Sequence, residues 1–165
     1  MLIRTHPYMN VLYSTRQTTL RELPKFAAGA SLRPSSCQWQ ERWSAVKDLY
    51  RYVADLELLV CGPQYWFSSG VDGRPETKFT LEIALPVQGK IPTALLPYFK
   101  QIPAFRCLSY RYEGPWEGLA GAYREMMQYI EDNQLRMKGV YAESFLHIDL
   151  EDPASQITEI QIGLI

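Results

Sequence analysis

The sequence predicts an α+β domain built as a tandem β-α-β-β repeat, its strands sharing one antiparallel sheet backed by two main helices. Three observations carry this. Two segments have a helix period: Trp39, Trp43, Val46, Leu49, Tyr50, Val53 and Leu56 in one, and Trp116, Leu119, Ala120, Tyr123, Met126, Met127 and Ile130 in the other. Each is an amphipathic stripe. Each is followed by a glycine, Gly62 or Gly139, that leads into a strand-like run. The two glycines lie 77 residues apart, and so do Glu82 and Glu159, each set inside an apolar run, "FTLEIALPV" and "QITEIQIGL".

Sliding the chain by 77 residues aligns 38–86 with 115–163 without a gap and gives nine identities in 49 positions. Ordinary residue frequencies would give about three, so a duplicated unit is the reading. The first unit, about 8–88, opens with "YMNVLYS" and, after its helix, continues with "QYWFSS" and "KFTLEIALPV". The second, about 105–165, opens with "FRCLSYRYEG", where Gly114-Pro115 starts the helix, and continues with "VYAESFLHI" and "ITEIQIGLI". An insertion, 16–36, separates the first opening strand from its helix and has room for a short extra helix. The segment 88–104 is a proline-marked connection. One domain spans the chain, 1–165, and no stretch is left over for a helix-turn-helix.

Composition narrows the function. At 165 residues the chain can bury one sizeable core. Net charge is −1 and the 17 Lys and Arg are scattered, which speaks against a nucleic-acid surface. Cys37, Cys61 and Cys107 show no C-x-x-C spacing, so a reduced protein with buried thiols is expected. No run reaches membrane-spanning length and the N-terminus has no apolar signal segment, so a cytoplasmic location is expected. His6 and His147 have no partner at a catalytic or metal spacing, and no nucleophile elbow, P-loop, H-E-x-x-H or dinucleotide fingerprint occurs. No cofactor and no metal are expected.

Three stretches, "LEIALPV", "YEGPWEGLAGAYREMMQYIEDNQLRMKGVYAESF" and "ITEIQIGLI", together resemble the GyrI-like small-molecule-binding domain. That domain is also the effector-binding part of multidrug-responsive MerR-type and AraC-type transcription regulators. The resemblance covers roughly residues 8–165. It implies a ligand cleft between the two halves, for bulky, aromatic, often cationic compounds, with stacked rings and a buried glutamate. The family's G-x-x-x-E-x-[YF] run falls on Gly139, Glu143 and Phe145, and its E-[IV]-x-[IV] run on Glu159, Ile160 and Ile162. The first-unit counterpart of the second run is Glu82, Ile83 and Leu85, whereas the first-unit counterpart of Glu143 is Trp66. A pocket acidic on one side and aromatic on the other follows.

Strand alternation sets Tyr141, Glu143, Phe145 and His147 on one face, with Val140, Ala142, Leu146 and Ile148 on the other, taken as the ordinary core face. A carboxylate among rings suits an organic cation, because the rings give apolar area and a negative face while the carboxylate balances the charge. Tyr112, Trp116 and Tyr123 are further cleft candidates at the second strand–helix junction. Glu82 and Glu159 fall opposite the core face of their strands, as rim or solvated carboxylates that share one place in the repeat. The leading expectation is a binding module for a bulky hydrophobic or aromatic small molecule, cationic ones included, as an effector sensor or sequestering protein. A hydrolase of reactive DNA-alkylating compounds, with Glu143 as base, is the alternative, since binding and hydrolysis need the same pocket. A protein-interaction role, as an inhibitor of DNA gyrase or through a regulator partner, is a third; the near-neutral charge argues against the gyrase version.

Overall fold

The computed structural model describes residues 1–23 and 37–165, with the side chains of the first helix described from Ser44 onward. Among the described residues, nine strands and two helices follow one another. They are β1 (Leu2–His6), β2 (Met9–Thr18), α1 (Cys37–Asp55), β3 (Leu59–Val60), β4 (Tyr65–Ser69), β5 (Phe79–Gln88), β6 (Phe99–Ile102), β7 (Phe105–Glu113), α2 (Leu119–Asp132), β8 (Met137–His147) and β9 (Ile157–Leu164). The strands form a single antiparallel sheet in the order β1-β7-β9-β8-β4-β5-β2-β6, with β3 paired to β5. The expected α+β architecture is the observed one.

The order reads the same from both sides of the β8–β4 pairing: β8, β9 and β7 on one side answer to β4, β5 and β2 on the other. The sequence repeat is therefore a two-fold relation in space. The outermost strands obey it too, because β1 joins β7 and β6 joins β2, so each unit's leading strand pairs with the other unit. Pro7 and Pro103 close these leading strands, 96 residues apart rather than 77, because the first unit carries 19 extra residues before its helix.

The connections force the sheet to roll. β1 and β2 sit at opposite ends of the strand order yet are joined by only Pro7 and Tyr8, as β6 and β7 are by Pro103 and Ala104. Such links span about 10 Å at most, so the ends must approach each other. A rolled sheet has two buried faces. On the outer one, Val46, Leu49 and Val53 of α1 and Leu119, Met126 and Ile130 of α2 pack on Leu81, Ile83, Leu85, Ile160 and Ile162. The inner face holds a smaller core of Val11, Tyr65, Phe67, Ala84, Ile102 and Ala142.

Both helices stop in the same way. Glu57 (φ 54°) and Gln134 (φ 52°), again 77 apart, take the left-handed conformation. The next amide then turns back, from Leu58 to the Val53 carbonyl (3.1 Å) and from Leu135 to the Ile130 carbonyl (2.9 Å). This is a Schellman ending without glycine, and it accounts for the repeated leucine, whose side chain packs under the last turn in each unit.

Several expectations are corrected. The connection 88–104 contains β6, and the N-terminus contains β1; both are short edge strands that end at a proline, with little alternation to read. β2 runs to Thr18, so the insertion begins later; the extra helix expected in it falls outside the described residues beyond a turn at Leu20–Leu23. Tyr50 and Met127 lie off the buried stripes, 45% and 38% exposed. Cys61 is exposed, whereas Cys107 is buried. On β8 the larger core takes Glu143 and Phe145, not Val140 and Ala142, which face the inner core, while Leu146 and Ile148 are exposed. Alternation cannot rank two faces that are both buried. No helix among the described residues is long and apolar enough to cross a membrane.

β1 is anchored in the inner core by His6, which is 0% exposed. Its ring stacks on Phe105 (4.5 Å) and meets Tyr65 and Phe67 edge-on (5.4 and 5.9 Å). Burial lowers its pKa below the usual 6.5, and Arg4 adds to this; the Pro7 backbone contact and Glu159 work the other way. A lowered folded-state value means that stability is complete above about pH 6.5 and is lost as pH falls. The urea midpoint should therefore drop between pH 7 and pH 5, and His6→Phe should flatten that drop. An unchanged slope in the variant would contradict this.

Candidate functional site

A cavity of about 430 Å³ opens between the two units. The first unit contributes Leu20, Leu23, Ser68, Val71, Asp72, Gly73 and Phe79, and the second Tyr123, Met127, Met137, Tyr141 and Glu143. The volume suits a drug-sized organic molecule, and the walls are apolar with a few polar groups, as such sites usually are.

Glu143 is 4% exposed. β8 presents it beside Tyr141 on the face toward α2, and its backbone pairs in register with Trp66 across the β4–β8 seam. Tyr123 donates its hydroxyl to Glu143 Oε1 at 2.8 Å. Burial, with the neighbouring carboxylate, pushes the Tyr123 phenol well above its usual value, so it stays protonated and remains a donor. Burial raises Tyr141 as well. Met127, one turn beyond Tyr123, carries the α2 side of the wall outward.

The two-fold relation shows why the cavity exists on one side. Under it Phe145 corresponds to Ser68 and Trp66 to Glu143. Phe145 packs edge-on against Trp66 (5.2 Å) and Trp116 (5.7 Å), all three buried, and these rings fill their half of the cleft. Ser68 leaves the other half open.

Of the residues expected at the site, Glu143, Tyr123 and Tyr141 come together around the cavity. Trp66, Phe145 and Trp116 form the aromatic block in the adjoining core. Tyr112 stands at the start of α2, its hydroxyl donating to the Pro115 carbonyl (2.9 Å). There it covers Gly118, where a Cβ would lie 1.8 Å from that hydroxyl, so a larger residue would have to push the Tyr112 ring aside. Glu82 and Glu159 are on the opposite face of the sheet from Glu143. Glu82 is ion-paired with Lys100, and Glu159 with Arg4. Burial pushes Glu159 up, but the hydrogen bonds from Ser109 and Gln161 and the Arg4 charge outweigh it and hold the carboxyl below the usual glutamate range. Arg4 and Lys100 are themselves counterparts, each three residues before its proline.

Leu20, Leu23, Asp72, Phe79, Met127 and Met137 were not among the expected lining residues. Asp72 had a signal, since it matches Asp149 in the repeat; both carboxylates accept backbone amides of the loop that follows, from Arg74 and from Glu151 and Asp152. Among the described residues no group of three His, Cys, Asp or Glu is placed to hold a metal.

Neither a protein-family model nor a curated protein matches the chain. Solved structures do share its fold. EcmrR in its complex with DNA superposes with a TM-score of 0.68 at 22% identity, over 99% of this chain and 56% of that one. The chain thus spans little more than half of EcmrR, and the EcmrR C-terminal domain alone aligns over 96% of its length, with a TM-score of 0.64 and the same identity. SAV2435 bound to tetraphenylphosphonium gives 0.59 at 13% identity, covering 99% and 93%. A hydrolase encoded by lin2189 of Listeria innocua gives 0.60 at 15%, covering 99% and 91%. The fold implied by the GyrI-like resemblance is the fold observed.

The Tyr123–Glu143 contact gives a stability test. Tyr123→Phe withdraws a donor from a buried carboxylate and should cost about 1–3 kcal/mol in urea unfolding. An unchanged midpoint would show that the bond contributes nothing.

Proposed function

We propose that the chain binds a bulky hydrophobic or aromatic small molecule, cationic compounds included, as an effector sensor or a sequestering protein. The observation that carries this is the cavity of about 430 Å³ whose apolar walls enclose a buried carboxylate, Glu143. Tyr123 and Tyr141 supply ring surface beside that charge, which is the pairing an organic cation needs on leaving water. The block of Trp66, Phe145 and Trp116 gives this corner a rigid backing. The fold neighbour SAV2435, which has been solved with a lipophilic cation bound, supports the same reading.

A second reading is favoured by the hydrolase among the fold neighbours. There Glu143, oriented by Tyr123, would direct a water onto a reactive electrophile held in the same cavity. Product formation from such an electrophile, abolished in Glu143→Gln with binding retained, would select it.

Tetraphenylphosphonium should raise the melting temperature and bind measurably by calorimetry. Glu143→Gln should weaken it at least ten-fold, about 1.4 kcal/mol. A panel of aromatic cations that neither stabilises the protein nor distinguishes the variant would defeat the proposal.

A further inference from the structure

The cavity has a second carboxylate that the proposed function leaves unused. Asp72 lines it together with Glu143, the two at its exposed and its buried ends, since the Asp72 side chain is 41% exposed and Glu143 4%. Glu143 lies in register with Trp66; from Trp66 the chain runs three more strand residues, about 10 Å, before it bends at Gly70 (φ 81°) and reaches Asp72. Between the two ends the wall is apolar, with Val71, Phe79 and Met127 offering aliphatic, ring and thioether surface.

Asp72 is held in a fixed orientation by its own loop. Its Oδ1 accepts the Arg74 amide (2.9 Å) and its Oδ2 the Thr77 hydroxyl (2.9 Å). These bonds, the Arg74 amide first, keep the carboxyl below the usual aspartate range, so it is charged at neutral pH. A carboxylate has about four acceptor positions, and Asp72 also accepts its own backbone amide, so one is still open. The Arg74 guanidinium stands 3.9 Å away on a side chain 83% exposed; a contact so long and so wet holds little.

We infer that the cavity favours elongated dications, with one cationic end at Glu143, the other at Asp72 and an aromatic or aliphatic body between them. This rests on the proposed binding function and names the ligand class within it. A monocation seated at Glu143 leaves Asp72 facing water. A second cation at the right spacing adds a partner whose carboxylate is already oriented, so little further ordering opposes binding.

The matching Asp149 closes the equivalent hairpin of the second unit, so loop closure alone would explain an aspartate at this position. The test therefore uses Asp72→Asn, whose side-chain oxygen still accepts the Arg74 amide and whose Nδ2 donates to the Thr77 hydroxyl instead of accepting from it, so the loop contacts keep their partners and the charge is removed. Calorimetry at low ionic strength compares an aromatic bis-amidine, with about 10 Å between its ends, and the mono-amidine in which a methyl group replaces one end. The bis-amidine should bind the unmodified protein several-fold more tightly, the gain a half-exposed carboxylate can supply. Asp72→Asn should bring it down to the level of the mono-amidine and leave the mono-amidine unchanged, whereas Glu143→Gln should weaken both. If Asp72→Asn affects both ligands equally, or neither, the inference is wrong while the binding function stands. If neither amidine nor tetraphenylphosphonium binds the unmodified protein, both fall.

Discussion

The antiparallel pairing of β4 with β8 is the constraint on which the rest of the structure depends. It joins the two repeat units, and their two-fold relation runs through it. It also fixes Trp66 directly opposite Glu143, so the difference between the units sits on the seam itself. A symmetric pair there would give two equal half-clefts. A tryptophan facing a glutamate, and a phenylalanine where the other unit has Ser68, fill one half with rings and leave the other open and acidic.

The opposite face of the sheet keeps what this face gives up. There the repeated glutamates do the same work in each unit, joining Glu82 to Lys100 and Glu159 to Arg4. Because β6 and β1 each come from the other unit's leading segment, these ion pairs tie each exchanged strand to the strand beyond its hydrogen-bonded neighbour, β6 to β5 and β1 to β9. The inner core between them is closed by His6 on one side. The duplication is thus preserved where it holds the rolled sheet together and broken where it lines the cavity.

Much of this was legible in the sequence, and the rest was hidden for identifiable reasons. The 77-residue offset revealed the helices and the central strands, because each carries a long periodic pattern, whereas the helix endings at Glu57 and Gln134 do without the glycine that would have announced them. It also showed that Trp66 stands in for Glu143, which is the asymmetry behind the cavity. The leading strands β1 and β6 escaped notice since they are short, end at a proline and repeat at 96 residues instead of 77. On β8 the alternation holds from Tyr141 to Phe145 and breaks at a bulge before His147, and its faces were ranked wrongly because a rolled sheet buries both. Leu20, Leu23 and Met137 could not have been placed at the cavity, since loop entry and a strand end bring them there and no period records either. Glu82 and Glu159 do fall opposite the larger core, but Glu159 is buried rather than a solvated or rim carboxylate, because the inner face is a core too, and their partners Lys100 and Arg4 lie in the strands that went unread.

The proposed binding function places the ligand in the cavity beside Glu143 and not in another groove of the rolled sheet. Methionine methyl groups report on this directly, because Met127 and Met137 line that cavity, Met126 is buried in the adjoining core, and Met9 lines a separate groove by Pro7 and Cys61. With methyl-labelled methionine, titration of tetraphenylphosphonium should shift Met127 and Met137 strongly through the ring currents of the bound cation, with Met9 unmoved. Shifts confined to Met9, with Met127 and Met137 silent, would contradict the account.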